Sequence, residues 1–121
     1  MKTFGICLLV IFIISCNKKQ ISFSADIQPL LSERCVGCHG DANPAGKIVL
    51  TSYDSLMSSR AFAHKTPIVV PGNASESWLY LRTGTNQMHY RMPPDTTNVI
   101  PLTQKEVLLI GKWIQEGAKN N

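Results

Sequence analysis

The five residues Cys35-Val36-Gly37-Cys38-His39 constrain this chain more than any other stretch of it. Two thiols separated by two residues and followed at once by an imidazole form the C-x-x-C-H pattern of c-type haem attachment. The spacing is chemical. Each thiol can form a thioether to one of the two vinyl groups of a haem. The histidine is then held against the ring, where a nitrogen reaches the iron. Other readings of the pair find less support. A redox dithiol belongs in a βαβ setting, and no such pattern surrounds these cysteines. A zinc site needs two further ligands, for which the sequence offers His64, His89 or a carboxylate.

The other two cysteines lie in a segment that reads as an address. After Met1 and Lys2, residues 4–14 run apolar. A mature bilayer span needs about 20 residues, so this run fits the core of a secretory signal. It ends in Ile13-Ile14-Ser15-Cys16, which resembles a bacterial lipobox with Cys16 as the lipidated residue. The alternatives are an ordinary signal peptide or an uncleaved anchor. Residues 1–15 are therefore expected to be a lipoprotein-type signal peptide. Residues 16–22 follow as the lipidated N-terminus and a polar linker, and residues 23–121 as one domain. Such a protein faces the periplasm in the cell envelope, tethered to the inner or outer membrane. Cys7 leaves with the signal and Cys16 carries lipid, so no cysteine is left for a structural disulfide.

Composition narrows the class further. A chain of 121 residues is neither a large multi-domain enzyme nor a polytopic membrane protein. With 44% apolar and 17% charged residues it reads as globular rather than disordered. Its net charge of +4 loses one unit with Lys2, and no basic run exceeds Lys18-Lys19. Nucleic acid is therefore not indicated as a partner.

The residues predict an all-α domain of about four short helices. Phe23, Ile27, Leu30, Leu31 and Arg34 fall at helical spacing just before the cysteines, with Ser24 or Asp26 as cap. Pro29 belongs in a first turn, so the regular helix is expected to begin near Gln28. A short helix over 53–59 begins at Thr51 or Ser52. Another over 75–82 is capped by Asn73 or Ser75 and ended by Gly84. The clearest helix is the last. Thr103 with Glu106 forms a capping box, Val107, Ile110, Ile114 and Ala118 share one face, and Gly117 closes it. Gly111 in its middle costs about 1 kcal/mol relative to Ala. Close approach of another helix would offset this, and the first helix is expected to cross there.

A c-type haem that carries electrons has a second protein ligand, Met or His. The candidates are Met57, Met88, Met92, His64 and His89. Met92 precedes Pro93 and Pro94, and a residue before proline is held extended in a stiffened loop. Met57 lies in a helical pattern and reads as core, and Met88 lacks the stiffening. Met92 is therefore preferred, with Met88, His64 and His89 left open. His39 should donate its other ring N–H to a backbone carbonyl, most simply from the loop between Gly40 and Gly46.

The chain resembles the planctomycete-type cytochrome c family. The resemblance rests on Ile27-Gln28-Pro29 with Leu30-Leu31, Cys35 to Gly40, Val70-Pro71-Gly72 with Ser77 and Leu79, Met92-Pro93-Pro94, Leu102-Thr103 with Glu106, and Trp113-Ile114 with Gly117-Ala118. It implies a cytochrome c fold, helices packed around one covalent haem c, with His39 and Met92 as axial ligands. In that family the domain is often part of a larger protein, and no function of a fused partner is carried over. The expected role is electron transfer by a membrane-tethered monohaem cytochrome, not an enzyme, with periplasmic or membrane redox proteins as partners. A haem-based sensor with a dissociable far ligand is the alternative. A binding lipoprotein with a structural metal is a third class.

Overall fold

The structure is a computed structural model and describes residues 19–87 and 89–121. The expectations for the signal peptide, for lipidation of Cys16 and for Met88 fall outside the described residues. Four α-helices, α1 (Gln28–Arg34), α2 (Tyr53–Ser58), α3 (Trp78–Gly84) and α4 (Gln104–Gln115), carry the architecture. No strand occurs among the described residues; a single bridge pairs Arg60 with Pro67. The chain thus has the all-α fold expected of a cytochrome c. No helix among the described residues is long and apolar enough to cross a membrane.

The chain enters the core at Ile21, two residues ahead of Phe23. Ile21 is buried, and its N–H meets the Glu116 carboxylate at 3.2 Å. Phe23–Ile27 forms a single wide π turn that runs directly into α1, with Pro29 in the first turn of α1. Its cap is Ser22, not Ser24 or Asp26. The Ser22 hydroxyl accepts from the Ala25 N–H, and Asp26 returns the contact by accepting from the Ser22 N–H at 2.8 Å. Ser24 is taken up elsewhere: its N–H and hydroxyl both donate to the carbonyl of Asn121. The Asn121 side chain in turn accepts from the Phe23 N–H at 2.9 Å and donates to the Ile21 carbonyl.

The core lies where this N-terminal segment meets α4. Ile27, Leu31, Ile110, Trp113 and Ile114 are almost fully buried. The Phe23 ring sits edge-on to Tyr53 at 5.1 Å and against Trp113 at 5.5 Å, arrangements that add to area burial. Helix α4 begins with the expected capping box, Thr103 and Glu106 each accepting from the other's backbone N–H. It ends in a Schellman motif: Ala118 N–H reaches Trp113 carbonyl, Gly117 N–H reaches Ile114 carbonyl, and Gly117 sits at φ 100°.

Two further expectations are corrected. The neighbour at Gly111 is α3, not the first helix. A Cβ built on Gly111 would lie 2.6 Å from Cε2 of Tyr80. The first helical segment meets α4 two residues further on, through Phe23 and Trp113. The helix expected over 75–82 is split into a 3₁₀ turn, Ala74–Glu76, capped by Asn73, and α3. Ser77 makes the break. It is fully buried, its hydroxyl donates to the Asn73 carbonyl at 2.8 Å, and it accepts from the Val70 N–H at 2.9 Å. A side chain so engaged competes with helix propagation.

Candidate functional site

Helix α1 delivers the Cys-x-x-Cys-His segment directly. The N–H groups of Cys35 and Val36 both bond to the Leu31 carbonyl, and those of Cys38 and His39 to the Cys35 carbonyl, so the helical turn carries on through the motif. Arg34 braces this end of α1. Its guanidinium donates to the carbonyl of Ile100 at 3.0 Å and lies 3.5 Å from the Glu106 carboxylate, tying α1 to the start of α4. Cys35 and Cys38 are free thiols. Burial pushes the Cys35 thiol up to about 11, against the opposing pull of the Arg34 guanidinium.

The loop after the motif folds back beneath it. Ala45 N–H donates to Cys38 carbonyl, and Leu50 N–H to His39 carbonyl, both at 2.9 Å. This brings the Ala45 and Ile48 carbonyls to 3.1 and 3.3 Å from Nδ1 of His39. Two carbonyls can only accept, so Nδ1 carries the proton and Nε2 keeps its lone pair. The ring is thereby oriented and left with one nitrogen able to bind a metal. Ala45 lies in the loop from which the sequence leads one to expect this carbonyl.

Cys35, His39 and Met92 line one cavity of about 360 Å³. Its walls are mostly apolar, from Ile48, Leu50, Ala61, Ile68 and Leu79. Met92 reaches it from a loop fixed to α3 by the Met92 N–H, which donates to the Arg82 carbonyl at 2.9 Å. The peptide bond between Met92 and Pro93 is cis, and Pro93 is buried beneath the loop. Met92 is 37% exposed.

The remaining candidates separate cleanly. His64 lines the same cavity, with its ring stacked on Trp78 at 5.2 Å. His89 is exposed and not part of the lining. Met57 packs against the hydrophobic core, as its helical position implies. Among the described residues no three His, Cys, Asp or Glu side chains converge on a metal position, so the zinc reading finds no ligand set. The donor set instead fits a haem: two unpaired thiols at thioether spacing, an oriented imidazole, a thioether sulfur and an apolar enclosure. Sequence reasoning missed Arg82, which lines the cavity half-buried. In the sequence it reads as an ordinary basic residue in the last turn of a helix.

Comparison with known proteins agrees with this chemistry. A family model described as planctomycete cytochrome C matches residues 35–96, just over half of the 121 residues, from Cys35 past the Met92 loop. No curated protein and no solved structure matches the chain. With the attachment motif, the oriented histidine and the all-α frame around one apolar cavity, the chain belongs to the planctomycete cytochrome c family.

Proposed function

We propose that this cytochrome is a single-haem electron carrier with His39 and Met92 as axial ligands, tethered to a membrane through Cys16 on the periplasmic side. The family supports the coarser statement, a carrier of electrons with covalent haem c. The observation that carries the finer one is the common cavity of Cys35, His39 and Met92.

Haem c supplies an iron that cycles between the ferrous and ferric states. The protein's own residues hold and tune it. Cys35 and Cys38 would anchor the ring by thioethers, which would leave it in place at either oxidation state. His39 offers Nε2, and the Ala45 and Ile48 carbonyls, by taking the Nδ1 proton in hydrogen bonds, raise the basicity of that nitrogen. Met92 offers a soft thioether, which favours the ferrous iron and raises the potential. The lipid on Cys16 would hold the carrier close to a reductase, oxidase or dehydrogenase in the same envelope.

Met92→Ala tests the ligand assignment. The ferric protein should lose its sulfur-to-iron charge-transfer absorption while keeping covalent haem. An unchanged axial spectrum would refute Met92. The exposure of Met92 and the presence of His64 on the same cavity favour one second reading, a sensor whose far ligand dissociates. Rapid stoichiometric binding of carbon monoxide to the reduced wild-type protein at neutral pH would select it.

A further inference from the structure

Arg82 stands in the last turn of α3 on the wall of the cavity that also holds Cys35, His39 and Met92. Its guanidinium lies over two aromatic rings. The guanidinium carbon lies 5.4 Å from the centre of the Trp78 ring and 5.2 Å from that of Tyr90. Nη1 donates to the Tyr90 carbonyl at 3.1 Å. Trp78 is itself fixed, by its indole N–H to the Thr66 hydroxyl at 2.9 Å and by the stacked ring of His64. These contacts orient a cation but do not neutralise it. Among the described residues the ion pairs join Arg34 to Glu33 and Glu106, Arg91 to Asp95, and Lys112 to Glu116. None reaches Arg82, and no Asp or Glu lines the cavity.

A cation partly withdrawn from water beside apolar walls is costly unless an anion faces it. The planar guanidinium fork, pre-set by two aromatic faces, is matched to a carboxylate in a way that a lysine ammonium is not. The group that fits this cavity brings two carboxylates of its own, the haem propionates, which are ionised at neutral pH.

We propose that Arg82 is the propionate anchor of this cytochrome, pairing with one haem carboxylate and so turning the carboxylate-bearing edge of the ring toward α3. The proposal rests on the haem reading of the cavity given above. It gives Arg82 two effects. The pair fixes the ring in addition to the thioethers. The positive charge held beside the ring also disfavours the extra charge of ferric iron, which raises the reduction potential. Because the Arg82 carbonyl accepts from the Met92 N–H, the same residue links the propionate to the loop that carries the far ligand.

The test uses the haem-loaded protein with Arg82→Gln and Arg82→Lys. In spectroelectrochemical titration, Arg82→Gln should shift the midpoint potential downward with the axial spectrum intact. Arg82→Lys should restore most of that shift, since it keeps the charge. If Arg82 serves only as a packing clamp between Trp78 and Tyr90, both variants lose thermal stability and neither moves the potential, and the proposal is overturned. A measurement on the wild type guards against variants that fail to load haem. Nuclear Overhauser contacts between Arg82 side-chain protons and propionate methylene protons are expected in the reduced protein, and their absence overturns the anchor. The two readings fail separately. A purified chain without covalent haem defeats both, whereas haem-loaded protein that behaves as above only in its spectrum defeats the anchor alone.

Discussion

Replacing Gly111 with alanine sets two opposed effects against each other in the middle of α4. Alanine is the better helix former by about 1 kcal/mol, so at an open position the change would stabilise. Gly111 is not open. The new Cβ would lie 2.6 Å from Cε2, 3.0 Å from Cδ2 and 3.3 Å from Cζ of Tyr80. Real Cβ contacts of this kind sit near 3.5–4.0 Å, so the ring must move by about 1 Å. Tyr80 is partly buried and packed against the core, so it cannot simply swing away. Overpacking of this kind costs typically 1–3 kcal/mol. Steric cost wins, and Gly111→Ala should be destabilising by about 1 kcal/mol net. For a domain near 100 residues that lowers the midpoint of thermal unfolding by roughly 4–8 °C. The decisive assay is a double-mutant cycle on the haem-loaded protein, followed by circular dichroism. With Tyr80→Ala as background the obstruction is gone, and Gly111→Ala should stabilise by about 1 kcal/mol. The reasoning fails if Gly111→Ala raises the midpoint in the wild-type background, or has the same effect in both.

Three further outcomes follow from the structure. Thr103→Ala removes the hydroxyl half of the α4 capping box and should cost about 1 kcal/mol in urea unfolding at pH 7. The Thr103 backbone N–H holds Glu106 below its ordinary 4.5, with the Thr103 hydroxyl and Arg34 adding to the effect against burial. Glu106 therefore contributes stability that is present above about pH 4.5 and is lost as pH falls through its lower folded value. Glu106→Gln should be less stable than wild type at pH 7, with the gap closing toward pH 3; a gap that widens in acid contradicts this sign. Cys35→Ala with Cys38→Ala should abolish haem staining under denaturing conditions. It should also leave a chain without a cooperative thermal transition, because the cavity walls then have nothing to pack on.

The parts of the site that were legible in the sequence are those where chemistry dictates spacing. Cys35, Cys38 and His39 stand at the C-x-x-C-H spacing that haem attachment dictates. Thr103 with Glu106 was readable for the same reason, as a reciprocal pair of hydrogen bonds with a fixed offset. Gly111 announced a close approach but not by which helix, since a missing side chain records room and carries no information about its occupant. The cap at Ser22 was hidden because Ser24 and Asp26 are equally able to cap, and only the contact of Ser24 with Asn121 decides among them. Ser77 breaks a helix through bonds to Val70 and Asn73 that no local pattern encodes. Arg82 was invisible as a cavity residue because a basic side chain in the last turn of a helix already has a local explanation.

The junction of Ser22, Phe23 and Ser24 with Asn121 has a consequence for the order in which the molecule can assemble. These hydrogen bonds join residues 97–99 positions apart. Closing a loop of that size costs about 4 kcal/mol of chain entropy before any contact is gained. The thioethers cannot reduce this cost, because they attach neighbouring residues to one ring and shorten no long segment. A nucleus built around the motif and the Ala45–Leu50 loop needs only local closures. The seam between the two ends, with Phe23 against Trp113, is the long-range step that follows. Maturation and topology are thus separated along the chain: the Cys35–His39 segment and the loop that orients His39 can take shape from residues 28–50, while the Met92 side of the cavity and the seam between Phe23 and Trp113 are added by longer-range contacts.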